Sequence, residues 1–351
     1  PAGTPPGRPG GGPRGAPVHA PSGALMTRLP TRRSTLFTRS DLNPLLSAAD
    51  WPYPANSVFN AGATLLRDGT TLLLCRVEDF RGLSHLTAAR SADGLTDWQI
   101  DPAPTLQPSP DHPDEVWGIE DPRITYLPEE DQYAVLYTAY SPAGPGVALA
   151  LTRDFVTFER RGLIFPPEDK DAAIFPTRFG ENWAALHRPV TSSSANIHLS
   201  FSENLRHFGD SRSVLEARRG PWWDARKVGL SAPPIRTDEG WLVIYHGVKV
   251  TGGGVLYRNG LALLDLHNPS VCLRRSDPWI LGPHDLSERV GDVANVVFPC
   301  GTVLQPDGDT LRVYYGQADT SIGLATASLS ELLRWLRDNS SVPGSADTGL
   351  D

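Results

Sequence analysis

Five short apolar runs recur along this chain at intervals of roughly 50–70 residues, and no other feature restricts its fold as tightly. They cover residues 71–77, 133–138, 183–187, 241–246 and 311–316. Each is followed by a second strand-like run, at 85–90, 147–152, 196–201, 260–266 and 321–327. Three of these second runs lead into one shared ending, at 91–98, 152–158 and 202–208: a hydroxyl residue, an Asp or Asn, an apolar residue and an aromatic. A polar turn and an aromatic packed on the sheet close the outer hairpin of a propeller blade. Five such units predict an all-β fold, a five-bladed β-propeller. A β-sandwich does not account for the fivefold recurrence. Leu329, Leu332, Leu333 and Leu336 have helical spacing and add one short C-terminal helix over 328–339.

Residues 1–25 are rich in proline and glycine and carry no apolar periodicity. Such a tract cannot bury enough surface to offset its ordering entropy, so a disordered tail is expected there. The only methionine is Met26, which reads either as a natural start or as a residue just past a genuine tail. The propeller is expected over 26–340, followed by a second disordered tail over 341–351. A formal net charge of -8 without a long basic run excludes a general nucleic-acid binder. It leaves room for a locally basic pocket. Cys75, Cys272 and Cys300 are scattered and fit neither a disulfide framework nor a zinc site. With no secretory core and no apolar stretch long enough to span a bilayer, a cytoplasmic protein is expected, its oligomeric state left open.

The stretch Gly118-Ile119-Glu120-Asp121-Pro122-Arg123 stands out chemically. In an extended segment Glu120 and Asp121 face opposite ways, and Pro122 biases Asp121 towards that conformation. A structural ion pair at a strand start is the plain reading of Asp121 and Arg123. The first strand of each blade lines a propeller's channel, so the five first runs and the entrances to them are the places to look for a site. They offer Arg76, Glu78, Asp79 and Arg81, then Asp121 and Arg123, then Lys170 and Asp171. His187 and Arg188 follow, then His246, Tyr257 and Arg258, then Asp292 and Asn295. Singly, each has a dull explanation. Together, cations or histidines closing four strands or their entrances predict an electropositive channel inside an acidic protein. Phosphate is its natural ligand, because arginine forks match its oxygens. No glycine-rich loop enters a helix, and no His/Cys/carboxylate cluster has metal-ligand spacing.

Eight motifs in order carry a family resemblance: RVEDFRGLSHLTAARS, GIEDPRIT, KDAAIFP, LHRP, GWLVIYHGV, YRNGLALLDLHNPS, DVANVVFPCG and YYGQADTSIGLATA. The chain resembles glycoside hydrolase family 130, five-bladed propellers comprising β-mannoside phosphorylases and some β-mannosidases, over about residues 43–337. The resemblance implies that Asp121 is the general acid. It places phosphate on Arg76 or Arg81, Lys170, Arg188, His246 and Tyr257. It makes Asn60, Glu78, Asp79, Arg123, Asp292 and Asp319 candidates to hold sugar hydroxyls. The implied reaction uses phosphate as co-substrate, no cofactor and no metal, and turns a β-mannoside of the β-1,4-manno-oligosaccharide or mannosyl-N-acetylglucosamine type into α-mannose 1-phosphate. Phosphate is already a nucleophile and needs no second carboxylate as base. The alternatives are a β-mannoside hydrolase on the same scaffold and a non-catalytic carbohydrate-binding propeller.

Overall fold

Each recurring unit folds into an antiparallel sheet whose strands lie side by side in chain order. In the computed structural model, residues 36–191 and 194–341 are described, with Gly3 alone upstream. Blade 1 consists of Ser57–Leu65, Thr71–Glu78, Ser84–Ser91 and Gln99–Ile100, and blade 2 of Ile119–Leu127, Gln132–Ser141, Gly144–Thr152 and Glu159–Phe165. Blade 3 is built from Asp169–Phe179, Asn182–Pro189, Ile197–Ser202 and Gly209–Leu215. Blade 4 runs through Lys227–Leu230, Gly240–Thr251, Gly254–Leu264 and Cys272–Ser276. Blade 5 contains Val297–Leu304, Thr310–Gln317 and Ser321–Ser328, and its outer strand is Thr38–Arg39, paired at Thr38↔Thr326. The start of the described chain thus completes the last blade.

The core is divided among the junctions between blades. Leu72 and Leu74 of blade 1 pack against Val135 and Tyr137 of blade 2, and Leu136 and Leu149 of blade 2 against Ile174 and Trp183 of blade 3. Phe175 and Leu186 meet Trp241 and Val243, and Leu242 and Leu261 meet Val313 and Tyr315. Ala63 and Leu73 meet Tyr314 and Leu324, so blade 5 returns to blade 1 and the ring closes. Each fully buried large apolar side chain stabilises the fold by about 1.5–3 kcal/mol. No blade can bury both its faces alone.

The shared endings are side-chain-stapled turns. Asp93 accepts from the amides of Leu95 and Thr96, Asp154 from Val156 and Thr157, and Asn204 from Arg206 and His207. The following aromatics pack as expected: Trp98 lies edge-on to Tyr314, and Phe208 is tilted against Phe165. The C-terminal helix is Leu329–Asp338, with the Ser328 hydroxyl accepting from the amide of Glu331. The expected tails over 1–25 and 341–351 fall outside the described residues, apart from Gly3 and Ser341.

The strand assignment needs one correction. The five apolar runs are the second strand of each blade, not the strand on the channel. The channel strands are Ser57–Leu65, Ile119–Leu127, Asp169–Phe179, Lys227–Leu230 and Val297–Leu304. Many of their cavity-facing positions are polar, and bulges interrupt the period of two in four of the five, so they read poorly as strands. Register breaks between Phe59 and Gly62, Glu120 and Arg123, and Lys170 and Ala173. Inside these breaks Asn60, Asp121 and Asp171 adopt φ of 46°, 51° and 56°. Asn and Asp tolerate this left-handed region better than other side chains with a Cβ. Three blades therefore turn one amide or carboxylate each towards the same axis.

Candidate active site

Those three side chains define one end of the channel, where a cavity of about 230 Å³ opens. Asn60, Arg76, Asp121, Lys170 and Asp319 line one part of it, and Asp171, Arg188, Lys227, His246 and Tyr257 the rest, with Val293, Val296 and Phe298 as apolar wall. Asp121 Oδ1 accepts from Asn60 Nδ2 at 2.9 Å and from Arg76 Nη1 at 3.0 Å. Its Oδ2 has no hydrogen-bond partner among the described residues and is the oxygen left to carry a proton.

The bulge overturns the expectation that Glu120 and Asp121 face opposite ways. With Asp121 at φ 51° rather than extended, both carboxylates reach one guanidinium. Glu120 bridges Arg76 at 3.3 Å and Lys170 at 3.0 Å, and Glu78 adds a third carboxylate to Arg76 at 3.3 Å. Burial is the largest influence on Asp121 and pushes its pKa up, but Arg76, Lys170 and Arg123 together hold it below the ordinary carboxylate value. These cations therefore keep Asp121 ionised at neutral pH.

Asp171 anchors the opposite part. It takes Arg188 Nε at 2.7 Å and Arg123 Nη2 at 3.2 Å, and His246 Nε2 lies 3.4 Å away. Burial would raise its pKa, yet Arg188 and its other basic neighbours hold it far below the usual range. Arg123 is only 1% exposed and spends its donors on Asp171, on the carbonyls of Leu230 and Ser231, and on that of Asp121. It is a buried strut with four of its five N–H donors committed, so the structural ion pair is real but joins Arg123 to Asp171. Gly229 is required here, because a Cβ would come within 2.5 Å of Asp171 and His246. Removing the carboxylate with Asp171→Ala leaves a buried cation unmatched and is expected to cost about 3–5 kcal/mol in a urea melt. A depressed pKa contributes stability above the unfolded value, about 3.9, and loses it as pH falls further. The wild type's advantage over the variant should therefore shrink only in acid.

Two further groups titrate away from their ordinary values. Burial pushes His246 down to about 3 despite Asp171 beside it, so the ring is neutral at pH 7 rather than a cation. Burial and then the charge of Asp121 push Asp319 up to about 7. A raised carboxyl contributes its stability below the unfolded value and loses it as pH rises through about 7. Asp319→Asn is therefore expected to melt higher than wild type at pH 8 and alike at pH 4, in a thermal series across pH.

Not every residue singled out by sequence reaches the cavity. Asp79 and Arg81 clamp each other at 2.7 Å on the hairpin after Thr71–Glu78, and Arg81 is exposed, so Arg76 rather than Arg81 is the blade 1 arginine in the site. Asp292 accepts from Ser57 Oγ at 2.7 Å without lining the cavity. His187 is buried between Asp169 at 2.6 Å and Ser200 at 2.9 Å, and Arg258 lies over the Trp279 ring. Lys227 escaped the sequence reading. It sits on the short channel strand of blade 4, where no long apolar run marks a strand. Its ammonium lies over the Tyr257 ring at 5.4 Å.

Residues 37–338 match a family model described as β-1,4-mannooligosaccharide phosphorylase. The chain is 41% identical over 256 residues to the β-1,2-mannobiose phosphorylase of Listeria innocua, covering 72% of this chain and 69% of that protein. It is 30% identical over 313 residues to the β-1,4-mannooligosaccharide phosphorylase of Ruminococcus albus, covering 87% and 92%. A solved complex of the Listeria innocua enzyme with β-1,2-mannobiose superposes with a TM-score of 0.79 at 33% identity, covering 86% of this chain and 99% of that one. Nearly the whole described propeller is spanned by these matches, and the chain belongs to glycoside hydrolase family 130.

Proposed function

We propose that this protein is an inverting phosphorylase that cleaves β-mannosides with inorganic phosphate, releasing α-mannose 1-phosphate and a shortened acceptor. The observation that carries this reading is the division of the cavity. Beside Tyr257 and neutral His246, the two Nη groups of Arg188 and the ammonium of Lys227 have no hydrogen-bond acceptor among the described residues, whereas Arg76 and Lys170 flank Asp121 and are matched to carboxylates. Phosphate on the first set and the leaving group at Asp121 bracket a mannose ring between them. A phosphate oxygen attacks the anomeric carbon as the glycosidic bond breaks, and the proton on Asp121 passes to the departing oxygen. The surrounding cations keep Asp121 ionised, so it must be loaded. Bound phosphate cancels part of the positive field that holds its pKa down, which raises its affinity for a proton.

Relatives named for β-1,2-mannobiose reach higher identity than the one named for β-1,4-mannooligosaccharides, 41% and 33% against 30%. This favours a β-1,2 linkage over the β-1,4 linkage expected from sequence. The hydrolase reading has one observation in its favour, a carboxyl at Asp319 that titrates near neutrality and could serve as a base. One assay separates the two. Purified protein with β-1,2- and β-1,4-mannobiose should release mannose 1-phosphate only when phosphate is supplied. Free mannose at a rate indifferent to phosphate would establish the hydrolase instead.

A further inference from the structure

Arg188 is held at two points by one neighbouring strand. Its backbone amide donates to Asp169 Oδ1 at 3.0 Å, and its Nε donates to Asp171 Oδ2 at 2.7 Å. Asp171 lines the cavity. Asp169 does not, and the proposed reaction gives it nothing to do. We infer that Asp169, braced by His187 and Ser200, is a positioning residue that fixes Arg188 for phosphate. The inference rests on the phosphorylase reading and on Arg188 as a phosphate contact.

The geometry is a chain of three buried polar side chains, one from each of three adjacent strands of blade 3. Asp169 opens Asp169–Phe179, His187 lies on Asn182–Pro189, and Ser200 lies on Ile197–Ser202. Asp169 Oδ2 is 2.6 Å from His187 Nδ1, and His187 Nε2 is 2.9 Å from Ser200 Oγ. A carboxylate only accepts, so Nδ1 carries the ring proton and Nε2 accepts from the hydroxyl. The ring is also stacked on Phe165, with centroids 3.9 Å apart and 5° between the planes. Both oxygens of Asp169 are thereby in use, one on a fixed ring and one on the Arg188 amide. The brace stands where the strand ladder is weakest. Lys170 faces Arg188, but register is lost between Lys170 and Ala173, around Asp171 at φ 56°. A bulge bends its strand and breaks the ladder locally, so backbone pairing alone does not fix Arg188 against Asp171.

The test is Asp169→Ala, which removes both bonds, beside Asp169→Asn. The amide of the latter can still accept from the Arg188 N–H, and its Nδ2 can donate to His187 in the other tautomer. Asp169→Ala should raise the apparent KM for phosphate about tenfold, as for one weakened charge-assisted bond, and leave the KM for the β-mannoside nearly unchanged. Asp169→Asn should restore the phosphate constant to within about threefold of wild type, since a neutral acceptor replaces a charged one. In an Arg188→Ala background Asp169→Ala should raise the phosphate KM no further, because its effect passes through Arg188. His187→Phe keeps a ring on Phe165 and drops both hydrogen bonds. It should also raise the phosphate KM selectively, and it carries the test if Asp169→Ala does not fold. Folded variants that melt lower with an unchanged phosphate KM overturn the inference and leave the chain a stabilising network. So do equal rises in both constants, or a full effect in the Arg188→Ala background. A wild type whose turnover is indifferent to phosphate overturns the phosphorylase reading and this inference with it, whereas a phosphate-dependent wild type with unaffected variants overturns the inference alone.

Discussion

Replacing Asp121 by asparagine is expected to lower kcat by about 10²–10⁴-fold, the usual contribution of a general acid, with the fold intact. The amide oxygen can keep the bonds that Oδ1 accepts from Asn60 and Arg76, and the new amide group takes the place of Oδ2 without a proton to transfer. Arg76 retains Glu120 and Glu78, so the loss of one buried anion leaves no isolated cation behind. The comparison to make is release of mannose 1-phosphate from a β-mannoside, beside a thermal melt of each protein. A variant with more than a tenth of wild-type turnover would move the acid elsewhere, with Glu120 and then Asp319 as the next candidates. Collapse of the fold instead of the rate would return Asp121 to a structural role.

Arg188→Ala should act on the other reactant. Its guanidinium is held from behind by Asp171 through Nε and presents its remaining edge to the cavity. Charge-assisted hydrogen bonds of this kind are worth about 1.5–3 kcal/mol each. Losing one corresponds to roughly a 10–150-fold rise in the apparent KM for phosphate, with much less change in the KM for the sugar. Arg188→Lys keeps the charge near Asp171 but not the fork, and should fall between the two. Steady-state kinetics with each substrate varied in turn will show the split. Equal rises in both constants would mean that the variant disturbs the Asp171 anchor rather than a phosphate contact.

The number of blades could be read from the chain because each blade keeps one strand buried on both faces. A run such as Leu72-Leu73-Leu74-Cys75 cannot be anything but interior, and its recurrence counts the sheets. Which strand faces the channel could not be read the same way. The functional strands carry Asn60, Asp121 and Asp171 at bulges, and a residue in the left-handed region breaks the alternation on which strand recognition depends. Lys227 was lost for a different reason: its strand has only four residues and no apolar run marks it. Asp79 and Arg81 were overvalued for the converse reason. They follow Glu78 in sequence, but a hairpin carries them beyond the end of the sheet, where they satisfy each other. Arg123 shows a third limit. Its charge suggested a ligand contact, and only the positions of Ser231 and Leu230, more than 100 residues away, reveal that most of its donors are committed.

The pairing of Thr38 with Thr326 sets the order of events during synthesis. A ribosome adding roughly 5–20 residues per second needs about 15–60 s to cover the intervening chain. Throughout that time the first strand has no partner, while blades 1 to 4 emerge complete and in order. The ring is sealed only after the last blade has left the exit tunnel, by a strand made before any of blades 1 to 4. Until then the nascent chain carries an open sheet edge at one end and an uncovered blade 1 face at the other. A stalled or truncated product lacking blade 5 would keep both surfaces bare, the condition in which unfinished sheets aggregate.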